Sequence, residues 1–298
     1  MITKFGKRFL TSYLAGAPGF IKKDIAVGIA TNADYALSDT NSRLGFEFYR
    51  IQASFGSIDI QTVGSNTTYA VIYKATLPQD VAGIITEVGL YPQLKTSNLN
   101  SDSNMISDFE NNLLWLDSTS TPASIISSPT VAPFPRIGNA LIPITAASNT
   151  TKEYISDIGT FSINGYSGND TIVLAYNQSD TNLSSITIKF YSSDTEYFYT
   201  TIAAPLTSGN KVLSTTFSSL LASAGNPDMN SIYKVGIAAT AKNTGSTTIN
   251  LEGLRINDED TFDAAYGLIS RSILATPLEK MAGRPADIEF RLEISFSG

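Results

Sequence analysis

A chain of 298 residues with 42% apolar side chains has enough material for two ordinary domains or one large β-sandwich. It contains no cysteine and no histidine, which removes disulfides, thiolate nucleophiles, the usual zinc sites, the Ser-His-Asp arrangement and the side chain most used for proton transfer near neutral pH. A net charge of −7 speaks against an extended phosphate-binding surface, and no apolar run reaches bilayer length, so neither nucleic acid nor a membrane is an expected partner.

Serine, threonine, asparagine and glycine separate short runs of β-branched and aromatic residues, which favours an all-β fold with one helix at the N-terminus. In that helix Phe5, Phe9, Leu10, Tyr13 and Leu14 recur at helical spacing, Thr3 supplies a cap, and Gly16 with Pro18 supplies a stop, so a helix is expected over 4–15. Its apolar stripe needs a partner, and packing on the sheet of its own domain is favoured over docking on a neighbouring subunit. The apolar core of this segment is too short and polar for a secretory signal.

Asp24-Ile25-Ala26-Val27-Gly28-Ile29 reads as a strand, followed by a polar excursion over 31–42. An extended stretch over 44–60 breaks near Gly56, and Tyr69, Val71, Tyr73, Ala75 and Leu77 alternate up to Pro78. Gly83 to Pro92 is a further strand, with Ile84, Thr86, Val88 and Leu90 on one face and Ile85, Glu87 and Tyr91 on the other. After Pro92 the composition turns abruptly to a linker, Lys95-Thr96-Ser97-Asn98. At the far end of the chain Ile288, Phe290, Leu292, Ile294 and Phe296 alternate with polar residues, and such a strand needs partners. The strands before Pro92 are the expected ones. This predicts a small split β domain, 1–95 plus 266–298, interrupted by an inserted domain over 96–265. Charge divides in the same way: 16 acidic against 7 basic side chains lie in 96–265, and 11 against 13 in the flanks.

Within the insertion a proline-rich stretch (Pro122, Pro129, Pro133, Pro135, Pro143) is too interrupted for a helix or a central strand. Strands are then expected at 160–163, 171–176, 186–191, 197–202, 211–217, 233–239 and 247–256, with a helical turn or two over 218–224. That spacing predicts a β-sandwich of jelly-roll type.

Three kinds of site are candidates. Trp115, Tyr197 and Tyr199, grouped with Tyr191, Phe198 and Phe134, could offer ring faces to a sugar, since an aromatic face fits the apolar side of a pyranose; filling the sandwich core is the favoured alternative. Asp258, Asp260 and Asp263, the first two within Asn257-Asp258-Glu259-Asp260, concentrate oxygen ligands of the kind calcium prefers, against the simpler reading of a solvated acidic turn. Asp194 with Glu196, or Glu87, could serve a glycosidase, but residues at i and i+2 on a strand share a face and nothing marks a cleft, so an enzyme is not expected. Glu87 is instead expected to be a structural carboxylate, paired with Arg291 or Arg50.

The helix Lys4 to Leu14 leading to Asp24-Ile25-Ala26-Val27-Gly28, then Lys74-Ala75-Thr76-Leu77-Pro78 and Ile85-Thr86-Glu87-Val88-Gly89-Leu90-Tyr91, closed by an alternating strand like Ile288 to Phe296, resembles a family of tailed-phage virion proteins. The resemblance covers 1–95 and 266–298, and the middle piece is similar to the carbohydrate-binding-module-like jelly rolls that phage appendages carry. It implies a non-enzymatic structural protein of the virion, on the tail, baseplate or fibre, with capsid decoration (cement) or a host-glycan-binding adhesin as alternatives. Other virion proteins, further copies of the chain and host surface glycans are the implied partners, and no cofactor is implied beyond calcium. Phe5, Phe9, Tyr13, Glu87, Leu90 and Phe290 are the residues expected to build and attach the split domain.

Overall fold

The computed structural model describes residues 1–14, 23–30, 43–63, 66–92, 105–127, 136–257 and 267–297. Among these residues the structure is all-β apart from one α-helix, α1 (Lys4–Leu14), and two single 3₁₀ turns. The chain divides into two compact units, one made of Met1–Asp102 with Thr261–Gly298 and the other of Ser103–Asp260. The first is the frame and the second the sandwich.

The chain opens the frame with β1 (Lys23–Ile29), β2 (Phe46–Val63), β3 (Asn66–Leu77) and β4 (Gly83–Pro92). The sandwich follows as β5 (Met105–Ser107), β6 (Trp115–Leu116), β7 (Ile142–Ala146), β8 (Thr151–Phe161), β9 (Thr171–Gln178), β10 (Leu183–Tyr191), β11 (Tyr197–Ala203), β12 (Gly209–Thr216), β13 (Leu221–Ala222), β14 (Ile232–Ala241) and β15 (Thr247–Asn257). β16 (Ser270–Lys280) and β17 (Ala286–Ser297) return to the frame.

In the frame the strands form one six-stranded sheet in the order β16-β4-β1-β2-β3-β17. The alternating C-terminal strand pairs antiparallel with β3 in unbroken register from Ala286 opposite Leu77 to Ser297 opposite Asn66. β2 serves two neighbours: Phe46 to Ala53 pair with β1, and from Ser54 onward, through a register shift between Phe55 and Ser57, the strand pairs with β3. β16 is absent from the expected strands because Pro277 stands in its interior, where its register also shifts between Ile273 and Leu278. One face of the sheet holds an apolar core of Ile25, Val27, Val88, Leu90, Phe290 and Leu292, with Phe5 and Phe9 of α1 packed against it. The helix therefore packs on its own sheet. Gly6 lets it come close, since a Cβ there would collide with the Ile269 carbonyl. Thr3 caps the helix by accepting from Gly6 N–H at 3.0 Å.

The opposite face of the same sheet carries buried charge. Asp24, Arg50, Glu87, Tyr91 and Arg271 are all 5% exposed or less. Glu47 holds Arg50 through two bonds of 2.6 Å, and the Arg50 guanidinium lies 3.9 Å from the Tyr91 ring centre. Glu87 is bound by Arg271, at 2.6 Å from Nη2 and 2.8 Å from Nε, and accepts from Gly45 N–H at 2.6 Å. Its partner is thus neither Arg291, which pairs with Asp59, nor Arg50, which pairs with Glu47.

The sandwich stacks a six-stranded sheet, β13-β11-β10-β14-β8-β6, on a second sheet, β12-β9-β15-β5, to which β7 adds through β15. Ile186, Ile188, Phe190, Val235 and Ile237 from the first sheet meet Ile172, Leu174, Tyr176, Leu251 and Leu254 from the second. Pro143 lies within β7, whose register runs against β15 from Ala146 to Ile142, so the proline is accommodated in a strand. β8 runs from Thr151, well before the expected 160; Lys152, Glu153, Ser156 and Asp157 break the apolar pattern that would have marked its first part. Arg136 crosses to the buried Glu252 at 2.7 Å and also donates to the carbonyls of Tyr176 and Lys211. The stretch expected to form helical turns is a 3₁₀ turn (Phe217–Ser219) followed by β13.

Candidate functional site

In β10, Ile186, Ile188 and Phe190 are buried in the sandwich core, which directs Thr187, Lys189 and Tyr191 to the outer face of the sheet. In β11 Phe198 is inward, so Tyr197, Tyr199 and Thr201 share that outer face. Register then places Tyr191 opposite Tyr197 and Lys189 opposite Tyr199. The ring centres of Tyr191 and Tyr197 are 5.0 Å apart and those of Tyr197 and Tyr199 are 5.8 Å apart. On the other side, Lys189 faces Gly236 of β14.

Gly236 is what allows the cluster to form. A Cβ at this position would lie 2.5 Å from Glu153 Oε1 and 2.9 Å from Tyr191 Cε2, so the tyrosine ring and the carboxylate meet over bare backbone. There the Tyr191 hydroxyl donates to Glu153 Oε1 at 2.8 Å and Lys189 Nζ donates to Glu153 Oε2 at 2.9 Å. The same ammonium sits 4.9 Å from the Tyr197 ring centre and 5.9 Å from that of Tyr191. Burial, together with the Glu153 charge, pushes the Tyr191 hydroxyl well above the usual phenol range, so it remains a donor at all ordinary pH. Tyr191 is buried, while Tyr197 and Tyr199 are half-buried, and the rings are inclined to one another, by 53° between Tyr191 and Tyr197 and by 66° between Tyr197 and Tyr199. Leu221, opposite Tyr199 on β13, extends the apolar surface as an exposed side chain.

Chemically this is a small aromatic shelf beside a carboxylate and an ammonium that neutralise each other. Each Glu153 oxygen retains a lone pair and Lys189 retains N–H donors, which suits hydroxyl-rich, uncharged partners. That Tyr197 and Tyr199 share a face was legible from their spacing. Lys189 and Glu153 were missed because they join through cross-strand register, and the one local sign was Gly236 inside an apolar strand.

The other candidates fall elsewhere. Trp115 is 1% exposed and packs 4.8 Å from the buried Phe109 ring, so it fills the core and offers no face to a ligand. Phe198 is likewise a core side chain. Asp258, Asp260, Asp263 and Phe134 lie outside the described residues, as does the side chain of Tyr13. Asp194 accepts from Lys234 Nζ at 2.7 Å and from the Tyr233 hydroxyl at 2.8 Å, and these bonds hold its carboxyl below the ordinary range. Glu196 turns instead to Asn226 N–H, at 3.0 Å. Glu87, Leu90 and Phe290 are interior to the frame, and Phe5 and Phe9 are half-buried against it, so all five hold the frame together.

No protein-family model and no curated protein matches the sequence. Among solved structures, the family 11 carbohydrate-binding module from Clostridium thermocellum in complex with a β-1,3-1,4-mixed-linked tetrasaccharide is similar at 14% identity and a TM-score of 0.37, over 52% of this chain and 94% of that one. An exo-β-agarase is similar at 11% identity and a TM-score of 0.37, over 54% of this chain and 26% of that one. The enzymatically active domain of tailspike protein 4 of bacteriophage CBA120 is similar at 14% identity and a TM-score of 0.31, over 56% of this chain and 21% of that one. The alignment thus spans about a quarter of the agarase and tailspike chains. Likeness at this level carries no argument about what this chain binds.

Proposed function

We propose that this protein is a non-enzymatic structural component of a tailed-phage particle, in which the frame attaches to the virion and the inserted sandwich binds a neutral glycan on the host surface. The observation that carries the glycan reading is the outward Tyr197–Tyr199 shelf, buttressed by Tyr191 and flanked by the Lys189–Glu153 pair. The Tyr197 and Tyr199 rings stand edge to face, so a single half-exposed ring can stack against the apolar side of a pyranose while the neighbouring carboxylate and ammonium bond its hydroxyls. Because those charges are matched locally, a neutral hexopyranose fits better than a polyanion. The particle reading rests on the family resemblance of the frame segments, and a tail, baseplate or fibre position is favoured.

Two measurements test the two halves. The chain should be recovered with purified particles by mass spectrometry, and its absence from them would remove the virion reading. The intact chain should bind neutral glycans on an array and bind host cells. If it binds neither, the sandwich is a spacing element.

A further inference from the structure

Among the described residues the outer half of β2 is an open edge of the frame. Among the described residues, Ser54 to Thr62 pair only with β3, since β1 reaches no further than Ala53. On the apolar face of this arm the rows run Phe55–Tyr73–Phe290 and Ile58–Val71–Leu292, with Ile60 beside Tyr69. At the β17 end of these rows Phe290 and Leu292 are each 4% exposed, whereas at the β2 end Phe55, Ile58 and Ile60 are 62%, 61% and 58% exposed. An edge is ordinarily guarded by charge, proline or a bulge. β17, at the same sheet's other border, has Asp287, Glu289, Arg291 and Glu293 at alternate positions. From Ser57 to Thr62, past the bulge, β2 has regular register and a single charge, Asp59 on the polar face, where Arg291 holds it at 2.9 Å.

We infer that this edge is a homodimer interface, in which a second copy of the chain pairs antiparallel along 58–62 about a two-fold axis at Ile60. The sequence of the edge is complementary to itself in that register. Ile60 meets Ile60 of the second copy, Ile58 meets its Thr62, and Asp59 meets its Gln61, an acceptor facing a donor. Moving the axis to residue 59 would set Asp59 against Asp59, and like charges directly opposite one another are unfavourable. Moving it to residue 61 would separate the two Ile60 side chains. The charged β17 edge makes a head-to-tail β2–β17 contact the poorer alternative. This inference is independent of the glycan reading, because it involves the frame alone.

The absence of cysteine makes a clean test available. The intact chain should sediment as a dimer, and the double variant Ile58→Lys/Ile60→Lys should sediment as a monomer that still melts cooperatively, since both side chains are exposed. Leu206→Lys, at an exposed apolar position of the sandwich, should leave the dimer intact. Ile60→Cys should oxidise to a covalent dimer, because opposed strand residues lie within disulfide reach, while Phe55→Cys, displaced from the axis by the length of a short strand, should not. A wild-type chain that is monomeric at all concentrations would overturn the inference. So would an oligomer that survives the double lysine substitution, or a dimer of the Ile60→Cys variant whose thiols stay unlinked under oxidant.

Discussion

Glu87 of β4 is bound by Arg271 of β16, 184 positions later in the chain, at 2.6 and 2.8 Å, and both side chains are at most 2% exposed. Burial pushes the Glu87 carboxyl upward, and the Arg271 charge with the Gly45 and Phe46 amides opposes it. Removing one member of such a pair strands the other: Arg271→Ala should cost about 3–5 kcal/mol in urea unfolding, and Arg271→Met/Glu87→Leu should recover much of that loss.

Helix propensity and packing make opposite predictions at Gly6. Propensity alone says that alanine in α1 should stabilise by about 1 kcal/mol. The Ile269 carbonyl occupies the space a Cβ would need, so Gly6→Ala should lower the unfolding midpoint. Thermal denaturation of the single variant decides between them.

Lys23 provides a pH signature. It is buried with its ammonium 4.7 Å from the Phe9 ring centre, and burial lowers its pKa to about 8 from 10.5. Between those values the unfolded chain binds more protons than the folded one, so this residue's contribution makes stability rise as pH increases from about 8 to 10.5. Below that window its penalty is complete. Subtracting the stability profile of Lys23→Met from that of the wild type should isolate the rise, and a flat difference would contradict the assignment.

Trp115 and Tyr197 should separate stability from binding. Trp115→Ala empties a core position beside Phe109 and should cost about 3–5 kcal/mol, read from urea unfolding. Tyr197→Ala, at a half-buried outer position, should cost far less in the same assay while weakening glycan binding.

What repeats locally was legible in the sequence. The alternation of Ile288 to Phe296 announced a strand, and Tyr197 and Tyr199 announced a shared face. What was not legible depends on register between distant segments. Glu87 finds Arg271 because Gly89 stands opposite that arginine in the β4–β16 ladder, and β16 itself was hidden by Pro277 and its polar start. Trp115 carries no local mark of its orientation: its neighbours Leu113 and Leu114 are exposed, yet its own ring turns inward onto Phe109. Lys189 and Glu153 come together only across β14, at the gap that Gly236 leaves.

The most direct test of the glycan-binding reading is a binding titration of a neutral oligosaccharide, chosen from array hits, against the intact chain and its Tyr197→Ala/Tyr199→Ala variant. The shelf predicts saturable binding by the wild type and its loss in the variant, with both proteins unfolding cooperatively. Equal binding by the two proteins would contradict it.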